Sequence, residues 1–157
     1  MSRFEPWSEA RTVEIVAAHA DLEGPLMPIL HALQDVFGHV PQEAVPVLAR
    51  ELNLSRAEVH GVVTFYHDFR HELPGKHILK LCRAEACQSM GCESLVARAE
   101  SALGVDCGNT TADGRVTLEA VYCLGLCATA PSAMIDGRVV GRLNETRLDD
   151  LLKEARS

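Results

Sequence analysis

Residues 78–87, ILKLCRAEAC, and residues 116–127, VTLEAVYCLGLC, decide how this chain folds. Each stretch begins as a short, largely apolar run of the kind that pairs in a sheet, reaches a cysteine where the run stops, and places a second cysteine a short loop later. Four residues separate Cys82 from Cys87, and three separate Cys123 from Cys127. The strands are read as Ile78 to Cys82 and Val116 to Tyr122. If they are parallel and joined through the helix between them, both cysteine loops fall at the same end of one sheet. Gly125 lets the second loop bend tightly.

Working outward, a helix beginning at Ser89 or a neighbour carries the stripe Cys92, Val96, Ala99 and Leu103, and Gly104 stops it. Met134-Ile135 and Val139-Val140 flank Asp136, Gly137 and Arg138, the pattern of a tight hairpin. A last helix follows Asn144, with Leu143 and Leu148 as a hydrophobic staple and Leu148, Leu151, Leu152 and Ala155 as its buried face. Strand, helix, strand, hairpin and helix make an α/β domain with a four-stranded mixed sheet.

Upstream, the chain is helical by period. Residues 8–20 set Val13, Val16, Ala17 and Ala20 on one face, and Leu26, Leu30, Leu33 and Phe37 recur after the break at Gly24-Pro25. Gly38 ends that second helix. Pro41 can open a third, with Val45, Leu48, Ala49 and Leu52 inward. Ser55 and Glu58 form a capping box for a fourth, which carries Val59, Val62, Val63 and Tyr66. With a boundary near His71 to Lys76, residues 1–73 are expected to form a helical region and residues 74–157 the α/β domain.

The 157 residues suffice for a buried core, and 22 acidic against 15 basic side chains give a formal charge of -7. That balance disfavours nonspecific attraction to nucleic acid or an anionic membrane. Arg3, Glu5, Glu9 and Arg11 interrupt any secretory signal pattern near the start. The uncharged run Ala120 to Ile135 is only 16 residues and contains Gly125 and Pro131, so no membrane insertion is expected. The reading is a cytoplasmic protein, in which six cysteines call for an explanation other than structural disulfides.

Four thiols from two adjacent loops suit an iron-sulfur centre, a structural zinc site or redox-active thiols, and spacing alone leaves all three open. Cys92 shares the helix stripe with Val96 and Ala99 and reads as a core thiol, and Cys107 reads as an ordinary loop cysteine. His19, His31, His39, His60, His67, His71 and His77 form no compact ligand motif in sequence. Phe65 and Tyr66 read as core aromatics. Phe4 and Trp7 could form a docking arm, with packing onto their own domain the simpler alternative.

CRAEAC, CLGLC, the 35 residues between them and the following APSAMIDG together resemble the thioredoxin-like [2Fe-2S] ferredoxin family that includes the 24 kDa subunit of respiratory NADH dehydrogenases. The upstream stretch VPQEAVPVLARELNLSRAEVHGVVTFYHDF resembles that family's helical portion, and CRAEACQSMGC is most similar to gamma subunits of soluble NAD-dependent formate dehydrogenases. The resemblance implies one [2Fe-2S] cluster held by Cys82, Cys87, Cys123 and Cys127, no catalytic residue in this chain, and a role in electron transfer. It also implies a partner subunit that carries FMN and binds NAD, and a formate dehydrogenase catalytic subunit with a molybdenum or tungsten cofactor. The equivalent subunit of a respiratory NADH dehydrogenase or an NAD-linked hydrogenase is the alternative parent.

Two other classes compete. A thiol-disulfide oxidoreductase fits a thioredoxin-like fold but lacks a compact C-x-x-C pair. A helix-turn-helix over residues 43–66 offers Arg56, His60 and His67, yet its apolar stripe and the chain's negative charge argue against DNA.

Overall fold

The structure, a computed structural model, describes residues 3–157. They form two compact units, the first ending at Leu73 and the second beginning at Pro74.

In the first unit, Ser8 opens α1 (Glu9–Ala18) by accepting a hydrogen bond from the Arg11 N–H. The buried residues of α1 are Thr12, Ile15 and Val16 rather than Val13, Val16, Ala17 and Ala20. Burial of Thr12 rotates the face, because its hydroxyl donates to the Ser8 carbonyl and accepts from the Trp7 indole, which satisfies it without water. Helix α2 (Leu26–Phe37) ends at Gly38, whose φ of +80° is a left-handed cap. A Cβ there would lie 2.7 Å from the Phe4 ring, so Gly38 answers both a backbone and a packing demand. Phe4 and Trp7 therefore pack on their own unit, reinforced by the Glu5 N–H donating to Val36.

Helix α3 (Ala44–Glu51) starts after Pro41, not at it, since the Pro41 and Gln42 carbonyls accept from Ala44 and Val45 in a preceding turn. Its buried residues are Ala44, Val47, Leu48 and Ala49, with Val45 and Leu52 only partly covered. Helix α4 (Arg56–Phe65) has the expected Ser55–Glu58 capping box and buries Val59 and Val63. The expectation for its two aromatics fails: Phe65 is 72% exposed and Tyr66 45%. The helix ends at Phe65, and the buried ring is Phe69. Gln34, buried on α2, fixes that segment by donating to the Asp68 carbonyl at 2.8 Å and accepting from the Arg70 N–H at 2.7 Å.

In the second unit, β1 (His77–Cys82) and β2 (Val116–Val121) pair in parallel from His77 opposite Val116 to Cys82 opposite Val121. A parallel pair needs a crossover, here α5 (Glu85–Ser89) and α6 (Cys92–Leu103). The helix expected from about Ser89 is α6, beginning at Cys92 after Gly91, which adopts a left-handed φ of +83°, and the short α5 before it is not among the expected helices. Strands β3 (Ala133–Ile135) and β4 (Arg138–Val140) add antiparallel, giving the order β2-β1-β3-β4. Asp136 and Gly137 both have positive φ, as a two-residue hairpin with right-handed strand twist demands. Asn144 caps α7 (Glu145–Arg156), and Leu148, Leu151, Leu152 and Ala155 are its buried face.

Leu79, Leu81, Leu118, Ile135 and Leu148 lie at the centre of the core between sheet and helices, each at most 2% exposed. Full burial of one such side chain contributes about 1.5–3 kcal/mol. The α/β architecture with a mixed four-stranded sheet is the one the cysteine-ended strands imply. Its consequence for function is that β1 and β2 end side by side.

Candidate functional site

Cys82 is the last residue of β1, and its N–H donates to the Ser132 carbonyl at 3.0 Å. Cys87 sits within α5, its Sγ 3.6 Å from the Ser132 Oγ. Both cysteines are 2% exposed. Cys123 lies two residues beyond β2 at a φ of +97°, strained for a residue with a side chain. Cys127 opens a single 3₁₀ turn, Cys127–Thr129. The Cys123 and Cys127 sulfurs are 3.6 Å apart and both residues are exposed. Gly125, at φ +76°, turns its N–H to donate to the Cys123 Sγ at 3.3 Å.

The structure brings all four of these cysteines to one place. Burial works against ionisation of the Cys82 thiol, but the Ala84 N–H, the Cys87 thiol, the Cys123 N–H and the Ser132 hydroxyl all hydrogen-bond to it, and the sum holds it below the ordinary thiol range. Cys127 is pushed up, first by its hydrogen bond with Cys123 and the charge there, then by burial and the charges of Cys87 and Cys82. Cys92 is buried as its helical spacing implies and packs against Cys82 and Cys87. Burial, then Glu93, raises its thiol. Cys107 packs part-buried against the sheet core, and burial followed by Glu100 raises it.

Convergence is not coordination. Among the described residues, no group of three or more His, Cys, Asp or Glu side chains is placed to hold a metal ion. The expectation of one [2Fe-2S] cluster on Cys82, Cys87, Cys123 and Cys127, with the iron and metal-binding character that follows, is corrected accordingly. The physical reason lies in what the sulfurs do: they hydrogen-bond with one another, with Ser132 and with backbone N–H groups, two in the interior and two at the surface. The arrangement is an asymmetric four-thiol site. Of the histidines, His19 and His39 donate locally to the Ile15 and Phe37 carbonyls, and His77 pairs with Asp136 at 2.7 Å.

Sequence reading missed Ser132 and the Arg83–Glu93 pair, whose two bonds of 3.0 and 2.7 Å tie the first loop to α6. A hydroxyl inside the uncharged run before β3 was the available signal for Ser132. Nothing in spacing marks a pair ten residues apart.

A thioredoxin-like domain with thiols gathered beyond two parallel strands defines a class, and known proteins give that class its name. Residues 12–156 match the thioredoxin-like [2Fe-2S] ferredoxin family, and the chain belongs to it. It is 32% identical over 142 residues to the HndA subunit of the NADP-reducing hydrogenase of Solidesulfovibrio fructosivorans, covering 90% of this chain and 83% of that one. It is 36% identical over 146 residues to an E-type subunit of the NADH-quinone oxidoreductase of Rhizobium meliloti, covering 92% and 87%. The E-type subunit of the Pseudomonas aeruginosa NADH-quinone oxidoreductase is 38% identical over 124 residues, covering 79% and 75%. Among solved structures, the H2-reduced NAD+-reducing [NiFe]-hydrogenase shares the fold, with a TM-score of 0.66 at 22% identity. The match spans 99% of this chain but about a quarter, 23%, of that longer one. None of these relatives bears a formate dehydrogenase name, so the expected placement among gamma subunits lacks their support. No helix of the described residues is long and apolar enough to cross a membrane.

Proposed function

We propose that this chain is a non-catalytic electron-transfer subunit of a multisubunit NAD-linked oxidoreductase, of the NADH-quinone oxidoreductase or hydrogenase kind, with Cys82, Cys87, Cys123 and Cys127 as its working site. The observation that carries the reading is the convergence of these four thiols at one end of two parallel strands, within a chain related to NADH-quinone oxidoreductase subunits. N–H and O–H donors around the Cys82 sulfur favour its thiolate, the form in which sulfur gives up electrons. The buried pair is insulated and the exposed pair is where a redox partner can approach. The partner is a cytoplasmic subunit that carries FMN and binds NAD, converting hydride equivalents into single electrons. A formate dehydrogenase with its molybdenum or tungsten subunit ranks second as parent complex, because it rests on the CRAEACQSMGC resemblance alone.

The test is purification of the tagged full chain from its native cells. A flavin-bearing, NAD-binding subunit is expected to accompany it, and NADH-driven reduction of an artificial acceptor should fall at least tenfold in Cys82→Ser or Cys123→Ser. A chain that comes alone, or a complex indifferent to all four cysteines, overturns the reading. Whether quinone, H2 or formate supports turnover identifies the parent.

A second reading has one observation in its favour, the 3.6 Å between the exposed Cys123 and Cys127 sulfurs. In thiol-disulfide exchange their two thiols become a disulfide, and two electrons and two protons pass to a substrate disulfide that leaves as two thiols. Stoichiometric reduction of a peptide disulfide, lost in Cys127→Ser, would favour it.

A further inference from the structure

Arg142 and Arg147 stand where the fold itself has no use for a cation. Arg142 has a φ of +49°, a backbone region that strains most side chains and that glycine, asparagine and aspartate enter most readily. Among the described residues, the other non-glycine occupants of that region are Asn53, Asp136 and the site residue Cys123. Arg147 lies in the first turn of α7, the positive end of the helix dipole, where an acid such as Glu145 is favoured. Local rules broken with no gain in packing point to a role outside the fold.

Both arginines are exposed. Arg83, Arg98, Arg115 and Arg138 of the same unit each meet a carboxylate, whereas among the described residues neither Arg142 nor Arg147 does. The Arg147 guanidinium instead donates to the Gly141 carbonyl at 2.8 Å, which turns it back to the segment that holds Arg142. That segment lies against the site. The Arg142 N–H donates to the Thr129 carbonyl and the Leu143 N–H to the Pro131 carbonyl, so residues 141–143 run beside the stretch that leaves the Cys127–Thr129 turn. A Cβ at Gly141 would lie 2.5 Å from the Thr129 Oγ1, so glycine permits the approach.

Two guanidinium groups without counter-charges are thus held beside the turn that opens with the exposed Cys127, in a chain of formal charge -7. Guanidinium donors match carboxylates in geometry as well as charge. A chain this acidic repels an acidic surface except at such a spot, and complementary charge there fixes where the two meet.

We propose that Arg142 and Arg147 form a docking patch for carboxylates on the flavin-bearing partner subunit, bringing that partner to the Cys127 edge of the four-thiol site. This rests on the electron-transfer reading above.

Tagged full chain made in its native cells tests it, with the retained flavin subunit measured over a series of sodium chloride concentrations. Retention by the parent is expected to fall as salt rises. Arg142→Gly combined with Arg147→Glu should bind the partner about tenfold more weakly at low salt and respond less to added salt. Arg56→Glu combined with Lys76→Gln, an equal change of charge elsewhere, should behave as the parent. Thermal unfolding of the isolated chain separates docking from folding, since a glycine at a positive φ and an acid in the first turn should leave the first variant at or above the parent's midpoint. A variant that unfolds well below the parent, one that retains the partner equally well, or a control that loses it equally overturns the proposal. So does inorganic phosphate that displaces the partner far better than chloride at equal ionic strength, which would assign the arginines to a phosphate-bearing ligand. A parent chain that retains no flavin subunit is the distinct failure of the electron-transfer reading, and the proposal falls with it.

Discussion

Two loops leave the same end of the sheet, each carrying a cysteine pair, and they are built in opposite ways. The loop after β1 folds into α5, buries Cys82 and Cys87, and is fastened by Arg83 to Glu93 and by the Gln88 amide donating to the Arg83 carbonyl at 2.9 Å. The loop after β2 has a single 3₁₀ turn, places Cys123 and Gly125 at positive φ, and leaves Cys123, Cys127 and a 71% exposed Tyr122 at the surface. Nearly equal cysteine spacing thus yields one insulated pair and one presented pair. What separates them is whether the intervening residues can form helix: Glu85-Ala86 supports it, whereas Leu124-Gly125 does not.

The largest expected break in this contrast is a charge placed in each loop. Cys87→Asp puts a carboxylate in the interior and is expected to cost about 3–5 kcal/mol in urea unfolding. Cys127→Asp, at the surface, should stay within about 0.5 kcal/mol of the parent. Equal losses would mean that the first loop is not closed over its cysteines. A milder probe follows the thiols themselves. With a small alkylating reagent at neutral pH, Cys123 and Cys127 should react on the order of 100-fold faster than Cys82 and Cys87, whose modification waits on local opening. Mass spectrometry of timed samples reads the ratio, and urea should abolish it.

How much of this contrast is legible in sequence depends on the reach of each cause. The strand end at Cys82, the stop at Gly104, the Ser55–Glu58 box and the face of α7 follow from neighbours a few residues apart, and the structure has them, while β2 stops at Val121, two residues short of Cys123. Helix α5 is five residues long, too short to show a period. Thr12 and Gln34 are buried polar residues, and an apolar pattern cannot foresee them; the partners of Gln34 lie 34 and 36 positions away. Tyr66 continued the stripe of α4, but the helix stops before it, and it lines an apolar groove with Leu26, Met27, Leu54 and Val62 instead of entering the core. At the site, spacing located four cysteines correctly in the fold, and resemblance supplied a ligand role that the hydrogen-bonded thiols do not display.

The smallest expected effect sharpens the account of the first loop's fastening. The Arg83 guanidinium donates to Glu93 and holds its carboxyl below the usual range; desolvation opposes this, and the charge of Arg83 and then the Cys92 thiol add to it. A carboxyl whose folded value is depressed binds its proton more weakly folded than unfolded. Its stabilising contribution is therefore complete above the unfolded value of about 4.3 and is lost as pH falls through the lower folded value. Glu93→Gln should accordingly lower the urea midpoint at pH 7, and the difference should close as pH falls through the folded value, where the parent's Glu93 also becomes neutral. The pair is solvent-exposed, so the difference is small and shrinks with added salt. A midpoint difference that persists unchanged down the acid limb would mean that Glu93 holds the loop through packing rather than through charge. The insulation of Cys82 and Cys87 would then rest on α5 alone.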